Sequence, residues 1–338
     1  MGTGEGAARL VKPGAGEQLV IVGARGFIGR LHAGIYRSLG IEPVEYDIAG
    51  SLTRSELDAI AWSEAIVDVC TPTAVHTESI RWAYERGTRR FLVEKPAART
   101  YVDWRACLLD VPGAEIFVGH SYMFSRTFEL MFDACPTVAS MRAAFDKDRA
   151  ADDARLRGAD ADGRLADVFQ VEVPHAFSMV LSVQPALELT SARYTGYGER
   201  GPGSIEPTSC EARFTHRTLP DVVVTSDLRA ARRRLVELEG DDGRRILGYF
   251  PLSAASPECA VYSVDAQGRK TTLFDGCDDL LRATLVAGLE AMRTGSVPWL
   301  ASGQFAGVVL ARIAEAVRLA KANGQPPGAV SAIAAADE

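Results

Sequence analysis

The sequence predicts an α/β protein in two parts. A doubly wound parallel sheet of the Rossmann type comes first, and an α+β domain with an open, mainly antiparallel sheet follows. Three observations carry this. From Gln18 to about Gly119, short apolar strands alternate with helical stretches, as a parallel sheet with crossover helices requires. After Gly119, strands follow one another in near succession, with turns such as Asp241-Asp242-Gly243 and Ala266-Gln267-Gly268 that suit antiparallel pairing. The length of 338 residues exceeds one ordinary core. The expected division is 17–120 for the first domain and 121–302 for the second. Residues 303–323 are expected to form a C-terminal helix that packs back between them.

In the first part, strands are predicted at Leu19–Val22, Pro43–Tyr46, Ala65–Cys70, Arg90–Val93 and Glu115–Val118. Helices are predicted between them, at Ile28–Ser38, Ser55–Ala61, Thr73–Arg86 and Thr100–Asp110. Gly40 and Gly87 stand where helix C-caps are expected. In the second part a helix at Thr127–Ala134 precedes a strand at Thr137–Phe145. A charged loop follows, from Asp146 to Gly163, and then a helix at Leu165–Val183 that carries His175. Strands are then expected at Glu188–Tyr197, Cys210–Thr215, Val222–Asp227, Arg234–Glu239, Arg245–Phe250, Ala260–Val264 and Thr271–Phe274. Two amphipathic helices, Asp278–Thr294 and Gln304–Ala322, close the pattern, and residues 1–16 read as a loose tail.

Composition narrows the function classes. Hydrophobic residues make up 47% and charged residues 24%, the balance of a globular protein. The apolar runs fall well short of the roughly 20 residues a membrane span needs, and the first residues lack the pattern of a secretory signal. A formal charge of −7 argues against nucleic acid as a partner, because phosphate binding requires a concentrated basic face. Arg232-Arg233-Arg234 is the densest basic run and reads as the exposed start of a strand. The six cysteines lack C-x-x-C spacing, which suits small buried hydrophobes in a reduced cytoplasmic protein. The five histidines form no metal motif, so no metal is expected.

The chemistry begins at Leu19-Val-Ile-Val-Gly-Ala-Arg-Gly-Phe-Ile-Gly29, a strand, a glycine turn and a helix start. Gly26 and Gly29 fit the second and third glycines of a dinucleotide fingerprint. Ala24 holds the first place, with Gly23 one residue earlier. Amides around Arg25, Gly26, Phe27 and Ile28 can then face a pyrophosphate. Asp47, at the end of the second strand, can accept the adenosine-ribose hydroxyls and would repel a 2′-phosphate. NAD is therefore favoured, and Arg25 and Arg54 leave NADP open. Glu94-Lys95-Pro96 follows the apolar strand Phe91-Leu92-Val93, at the sheet's carboxyl edge where open α/β sheets bind ligands. An ammonium there can donate to a substrate oxygen.

These stretches, Gly26-Phe-Ile-Gly-Arg-Leu-His32, Val69-Cys-Thr-Pro-Thr-Ala-Val-His76 and Val93-Glu-Lys-Pro96, resemble the Gfo/Idh/MocA family of nicotinamide-dependent oxidoreductases. The resemblance covers the first 120 residues well and the remainder in outline. It implies hydride transfer at a hydroxyl or keto carbon of a sugar, nucleotide sugar or cyclitol. It also implies a homodimer or homotetramer formed through the second domain's sheet. Thr71, Pro72 and His76 would lie by the nicotinamide half of the cofactor. Glu94 would contact its ribose or orient Lys95, and Lys95 would polarise the reacting oxygen.

In the second domain, the family's Asp-x-x-x-His corresponds to Gln170-Val-Glu-Val-Pro-His175, with valine at the aspartate's position. His175 is the expected proton donor and acceptor, and Glu172 could orient it in place of the aspartate, with Asp167 a weaker substitute. Pro174 marks a candidate helix start. The family's Tyr-Arg-Phe reads Tyr122-Met123-Phe124 here, which removes a positive group near the site; Arg126 is a candidate to replace it, the alternative being a substrate with less negative charge there. Asp152, Asp153, Arg155 and Arg157 fall in the charged loop, read mainly as solvated. His32 is read as a structural residue of the first helix. Two alternatives stay open: a reductase of a C=N or tetrapyrrole bond on the same scaffold, and a non-catalytic sensor of a dinucleotide or sugar.

Overall fold

The structure, a computed structural model, describes residues 17–47, 52–148, 168–201, 204–253 and 255–324. The expected tail at 1–16, Asp152, Asp153, Arg155, Arg157 and Asp167 lie outside them. The chain divides into two units.

The first unit contains β1 (Leu19–Val22), α1 (Phe27–Ser38), β2 (Val44–Tyr46), α2 (Arg54–Asp58), β3 (Ile66–Val69), α3 (His76–Glu85), β4 (Arg90–Val93), α4 (Tyr101–Asp110) and β5 (Glu115–Val118). All five strands are parallel, in the order β2-β1-β3-β4-β5. β1 and β3 are buried throughout, so β1 reads as a continuous apolar run rather than an alternating one, and β3 does so apart from Asp68. Strand order reverses at β1 and β3, and in such sheets this opens a crevice at the carboxyl ends. Thr53 and Thr100 cap α2 and α4 through their side chains. Gly40 and Gly87 follow α1 and α3 at φ +77° and +113°, in the left-handed region expected of their cap positions.

Residues Arg282–Gly307 group with this unit, which interrupts the expected 121–302 span. They include most of α8 (Leu280–Thr294) and the start of α9 (Gly303–Asn323). Gly288 explains the close packing of α8, since a Cβ there would lie 2.9 Å from Leu92 and 3.2 Å from Phe117. The Trp104 indole donates to the Gly303 carbonyl at 2.7 Å.

The second unit is built on an eight-stranded sheet. Its strands are β6 (Val138–Asp146), β7 (Glu188–Gly201), β8 (Ser204–His216), β9 (Leu219–Asp227), β10 (Arg233–Gly240), β11 (Arg245–Tyr249), β12 (Glu258–Val264) and β13 (Lys270–Cys277). The order is β13-β12-β11-β10-β6-β9-β8-β7, and among these pairs only β6 with β9 is parallel. The β7–β8 hairpin runs well past the expected limits at Tyr197 and Cys210. The added segment carries Gly198 and Pro207 and has a register shift in its pairing.

α5 (Arg126–Ala134), α6 (Val168–Val171) and α7 (Val173–Val183) also belong to the second unit. The expected helix over 165–183 is divided at Glu172, and Pro174 lies in the first turn of α7, where a missing amide costs nothing. Among the described residues, no helix is long and apolar enough to cross a membrane.

Candidate functional site

Unit one brings the sequence motifs to one edge. Residues just beyond β1, β3, β4 and β5 continue the ladder. Cys70 donates to Val22, Glu94 to Val69, and Gly119 to Val93, at 2.8, 3.1 and 2.9 Å. The glycine turn, Thr71, Lys95 and His120 therefore share the carboxyl end of the sheet.

The glycine turn is required by geometry. Gly23 has φ +89°, and a Cβ on it would lie 2.7 Å from the Thr71 nitrogen. A Cβ on Gly29 would lie 2.3 Å from the Gly23 carbonyl, so helix and turn pack backbone to backbone. Gly26 is the N-cap of α1 and provides no side-chain cap, and no acidic residue stands in the first turn. The helix start is thus suited to an anion. Phe27 is exposed there, at 61%. Asp47 accepts from the Arg25 amide at 3.2 Å, which ties the end of β2 to the glycine turn. Arg54, which left the NADP option open, begins α2 and lies 4.0 Å from Asp58.

His76 is buried, and both of its ring nitrogens face backbone carbonyls. Nε2 lies 2.6 Å from Thr71 and Nδ1 3.1 Å from Pro96. The ring thereby links the Thr71-Pro72 turn to the segment that carries Lys95. Burial lowers its pKa against the opposing pull of the Thr71 carbonyl and Glu94. The Thr71 hydroxyl lies 3.2 Å from that of Ser79, Pro72 is exposed, and the Lys95–Pro96 peptide is cis.

A buried network that sequence reasoning missed lies behind Glu94. His32 Nδ1 is 2.8 Å from Asp68 Oδ2, and the Tyr36 hydroxyl donates to the same oxygen at 2.8 Å. The Cys70 sulfur lies 3.2 Å from His32 Nδ1. His32 Nε2 approaches Glu94 Oε1 to 3.4 Å, within ion-pair range but without the geometry of a hydrogen bond. Burial opposes the charge on His32, but Asp68 and its surroundings prevail and hold the pKa well above the usual value. Burial likewise pushes the Glu94 carboxyl up, and His32, Lys95 and His76 outweigh it, leaving the pKa below the usual range. His32, Asp68 and Cys70 hold donor atoms within 4.8 Å of one another, and the hydrogen bonds just described account for that closeness. One signal was available: Asp68 is a charge inside an otherwise apolar, fully buried strand, and His32 and Tyr36 share a helical face at i, i+4.

His120 was also missed. It is buried edge-on against Phe305, with ring centroids 5.7 Å apart, and its Nε2 has no hydrogen-bond partner among the described residues. Burial pushes its pKa down to about 4.

In the second unit, His175 sits in the first turn of α7 between two aromatic rings. Tyr122 meets it edge-on at 4.9 Å and Phe145 stacks on it at 6.2 Å. Glu172 is buried and paired with Arg234, and Lys147 lies 3.6 Å from its carboxylate. The Arg234 guanidinium lies over the Tyr122 and Phe145 rings, at 5.7 and 5.2 Å. Arg126, the candidate to replace the missing arginine, lies over the Phe274 ring at 4.9 Å and is exposed. The charge next to Tyr122 comes from Arg234, which the sequence placed on an exposed strand start. Alternation along β10 corrects that: Arg234 falls on the buried face with Val236 and Leu238.

No protein-family model matches the chain, and no curated protein sequence does. Solved structures do share its fold. An assigned NADPH-dependent oxidoreductase from Desulfitobacterium hafniense superposes with a TM-score of 0.74 at 14% identity, covering 91% of this chain and 96% of its own. UDP-N-acetylglucosamine 3-dehydrogenase from Acidithiobacillus ferrooxidans gives 0.71 at 16% identity, with 90% and 98% covered. Levoglucosan dehydrogenase in complex with NADH and levoglucosan gives 0.68 at 17%, with 91% and 98% covered. The chain has the two-part fold of these dehydrogenases, a parallel Rossmann sheet with a second, mainly antiparallel sheet.

Proposed function

We propose that this chain is a nicotinamide-dependent oxidoreductase acting on a hydroxyl or keto carbon of a sugar, nucleotide sugar or cyclitol. The supporting observation is the placement of Lys95 at the carboxyl end of β4. It stands on the same sheet edge as a glycine turn too tight for any side chain at Gly23 or Gly29. The residues present suit a dinucleotide. The start of α1 has neither a side-chain cap nor an acidic residue, and Asp47 is anchored to the Arg25 amide beside it. Gly26 and the following amides would hold the pyrophosphate, and Asp47 the adenosine ribose, with NAD preferred to NADP because a carboxylate repels a 2′-phosphate. The nicotinamide supplies the hydride acceptor or donor when bound.

The protein's own residues would then do three things. The Lys95 ammonium donates to the reacting oxygen and stabilises its alkoxide character. Glu94 keeps a negative charge beside that lysine. His175 exchanges the proton, a task imidazole performs near neutral pH. The nucleotide-sugar and anhydrosugar dehydrogenases that share the fold support the sugar-like substrate class.

A panel of sugars, nucleotide sugars and cyclitols, followed by nicotinamide absorbance with NAD and NADP, tests this. Turnover of a carbinol or keto substrate that Lys95→Met abolishes is the expected result. Turnover of a cyclic imine alone, with no polyol accepted, would replace it with C=N reduction.

A further inference from the structure

We propose that His32 is a positioning residue: held on one side by Asp68, it fixes the Glu94 carboxylate on the other, and through it the segment that presents Lys95. The inference rests on the role given to Lys95 above and adds a residue that touches neither substrate nor cofactor.

The geometry is that of one ring between two carboxylates. Nδ1 lies 2.8 Å from Asp68 and Nε2 lies 3.4 Å from Glu94. His32 and Asp68 are buried, and Glu94 is 12% exposed. A neutral imidazole has one N–H and can serve only one of the two acids, whereas an imidazolium serves both. Asp68 also accepts from Tyr36, so Glu94 acts on the ring chiefly through charge, and a second carboxylate 3.4 Å from Nε2 favours the imidazolium. The other neighbours are consistent with this. Tyr36 donates to Asp68 and is held protonated by burial and by the Asp68 charge. The Cys70 thiol is pushed up by burial and by Asp68 and stays neutral. Lys95 adds a second positive charge beside Glu94, while His76 and His120, both lowered mainly by burial, remain neutral near pH 7. Two negative and two positive charges therefore alternate in the sequence Asp68, His32, Glu94, Lys95.

His32 Nε2 completes no hydrogen bond, yet it is buried. It borders a small cavity whose polar lining includes His32, Asp68, Glu94 and Thr284, with Leu92, Val93, Phe117 and Leu285 as apolar walls. The ring is anchored firmly at Nδ1 and loosely at Nε2. That asymmetry suits a group that steers a neighbouring carboxylate without sequestering it from Lys95.

The test needs no substrate. Ring nitrogens of labelled histidine report the His32 titration, and ¹³C-methylated lysine reports that of Lys95. Glu94→Gln is expected to lower the His32 midpoint by about one pH unit or more, as loss of a nearby opposite charge does. His32→Gln removes a positive charge and loosens Glu94, so its effect on the Lys95 midpoint is expected to run through Glu94: the shift it causes in the wild-type background should be much smaller in the Glu94→Gln background. A purely structural histidine would lower the melting temperature of His32→Gln and leave the Lys95 midpoint where it was, which would overturn the proposal. If His32→Gln does not fold, an unchanged His32 midpoint in Glu94→Gln overturns it as well. Binding of NADH to the wild type is measured alongside. A coupled titration without NADH binding would count against the oxidoreductase reading and not against the coupling.

Discussion

The carboxylate of Glu172 is paired with the guanidinium of Arg234, and both side chains are almost fully buried, at 4% and 6% exposed. The acid that the sequence offers as an orienter of His175 is thus also the counter-ion of a buried arginine. Its carbonyl accepts from the His175 amide at 3.1 Å, so the pair holds the first turn of α7 in place.

Removing one member of such a pair strands the other. Arg234→Met or Glu172→Ala is expected to cost about 3 kcal/mol, at the low end for a buried pair because Lys147 and Tyr122 remain as partners. The double variant Arg234→Met/Glu172→Ala should recover much of the loss. Urea melts in a double-mutant cycle measure the coupling, and strictly additive costs would show that the pair does not act as a unit.

The glycines of the first turn should separate in their effects. Alanine at Gly29 would place a Cβ 2.3 Å from the Gly23 carbonyl, whereas at Gly26 the same contact is 3.2 Å. Gly29→Ala is expected to destabilise by about 1–3 kcal/mol, as overpacking does. Gly26→Ala should melt within about 1 kcal/mol of wild type and lose affinity for a dinucleotide. Thermal melts with NADH titrations distinguish the two.

His120 gives a pH dependence with a defined sign. Its pKa is about 4 in the folded protein against an ordinary 6.5, so the unfolded chain takes up the proton first. Stability from this group is complete above pH 6.5 and declines as pH falls toward 4, by about 3 kcal/mol in all. His120→Leu should flatten that acid slope relative to wild type. His76, lowered in the same direction, stays in both proteins and does not affect the difference. Identical slopes in urea melts at pH 6.5 and pH 4 would refute the assignment.

Lys95→Ala is expected to reduce turnover by about 10² to 10⁴-fold, the range typical of a positioned proton or charge donor. NADH affinity should change less than tenfold. Turnover retained within threefold would remove Lys95 from the chemistry, whatever the substrate proves to be.

Much of the fold could be read from period and punctuation. Strand β1 begins and ends where its apolar run does, because a parallel strand buried on both faces has no polar positions to blur its ends. β4 and β5 each start one residue earlier than their apolar runs, at half-buried Arg90 and Glu115. The outer part of the β7–β8 hairpin escaped because Gly198 and Pro207 read as loop residues, while pairing between long neighbouring strands tolerates them through register shifts. At the site, the glycine turn and Lys95 were legible because their spacing is local. Asp68, His120 and Arg234 were not, since a buried charge or imidazole takes its meaning from partners far away in sequence. Arg234 pairs with a residue 62 positions away, and His32 with one 36 away.

Calorimetric binding of NADH and NADPH to wild type and Asp47→Ala is the decisive measurement for the dinucleotide site. NADH is expected to bind, NADPH to bind more weakly, and the substitution to weaken NADH about tenfold or more by removing a charged hydrogen-bond acceptor. Absence of binding by either nucleotide would contradict such a site, and a preference for NADPH would contradict the role assigned to Asp47.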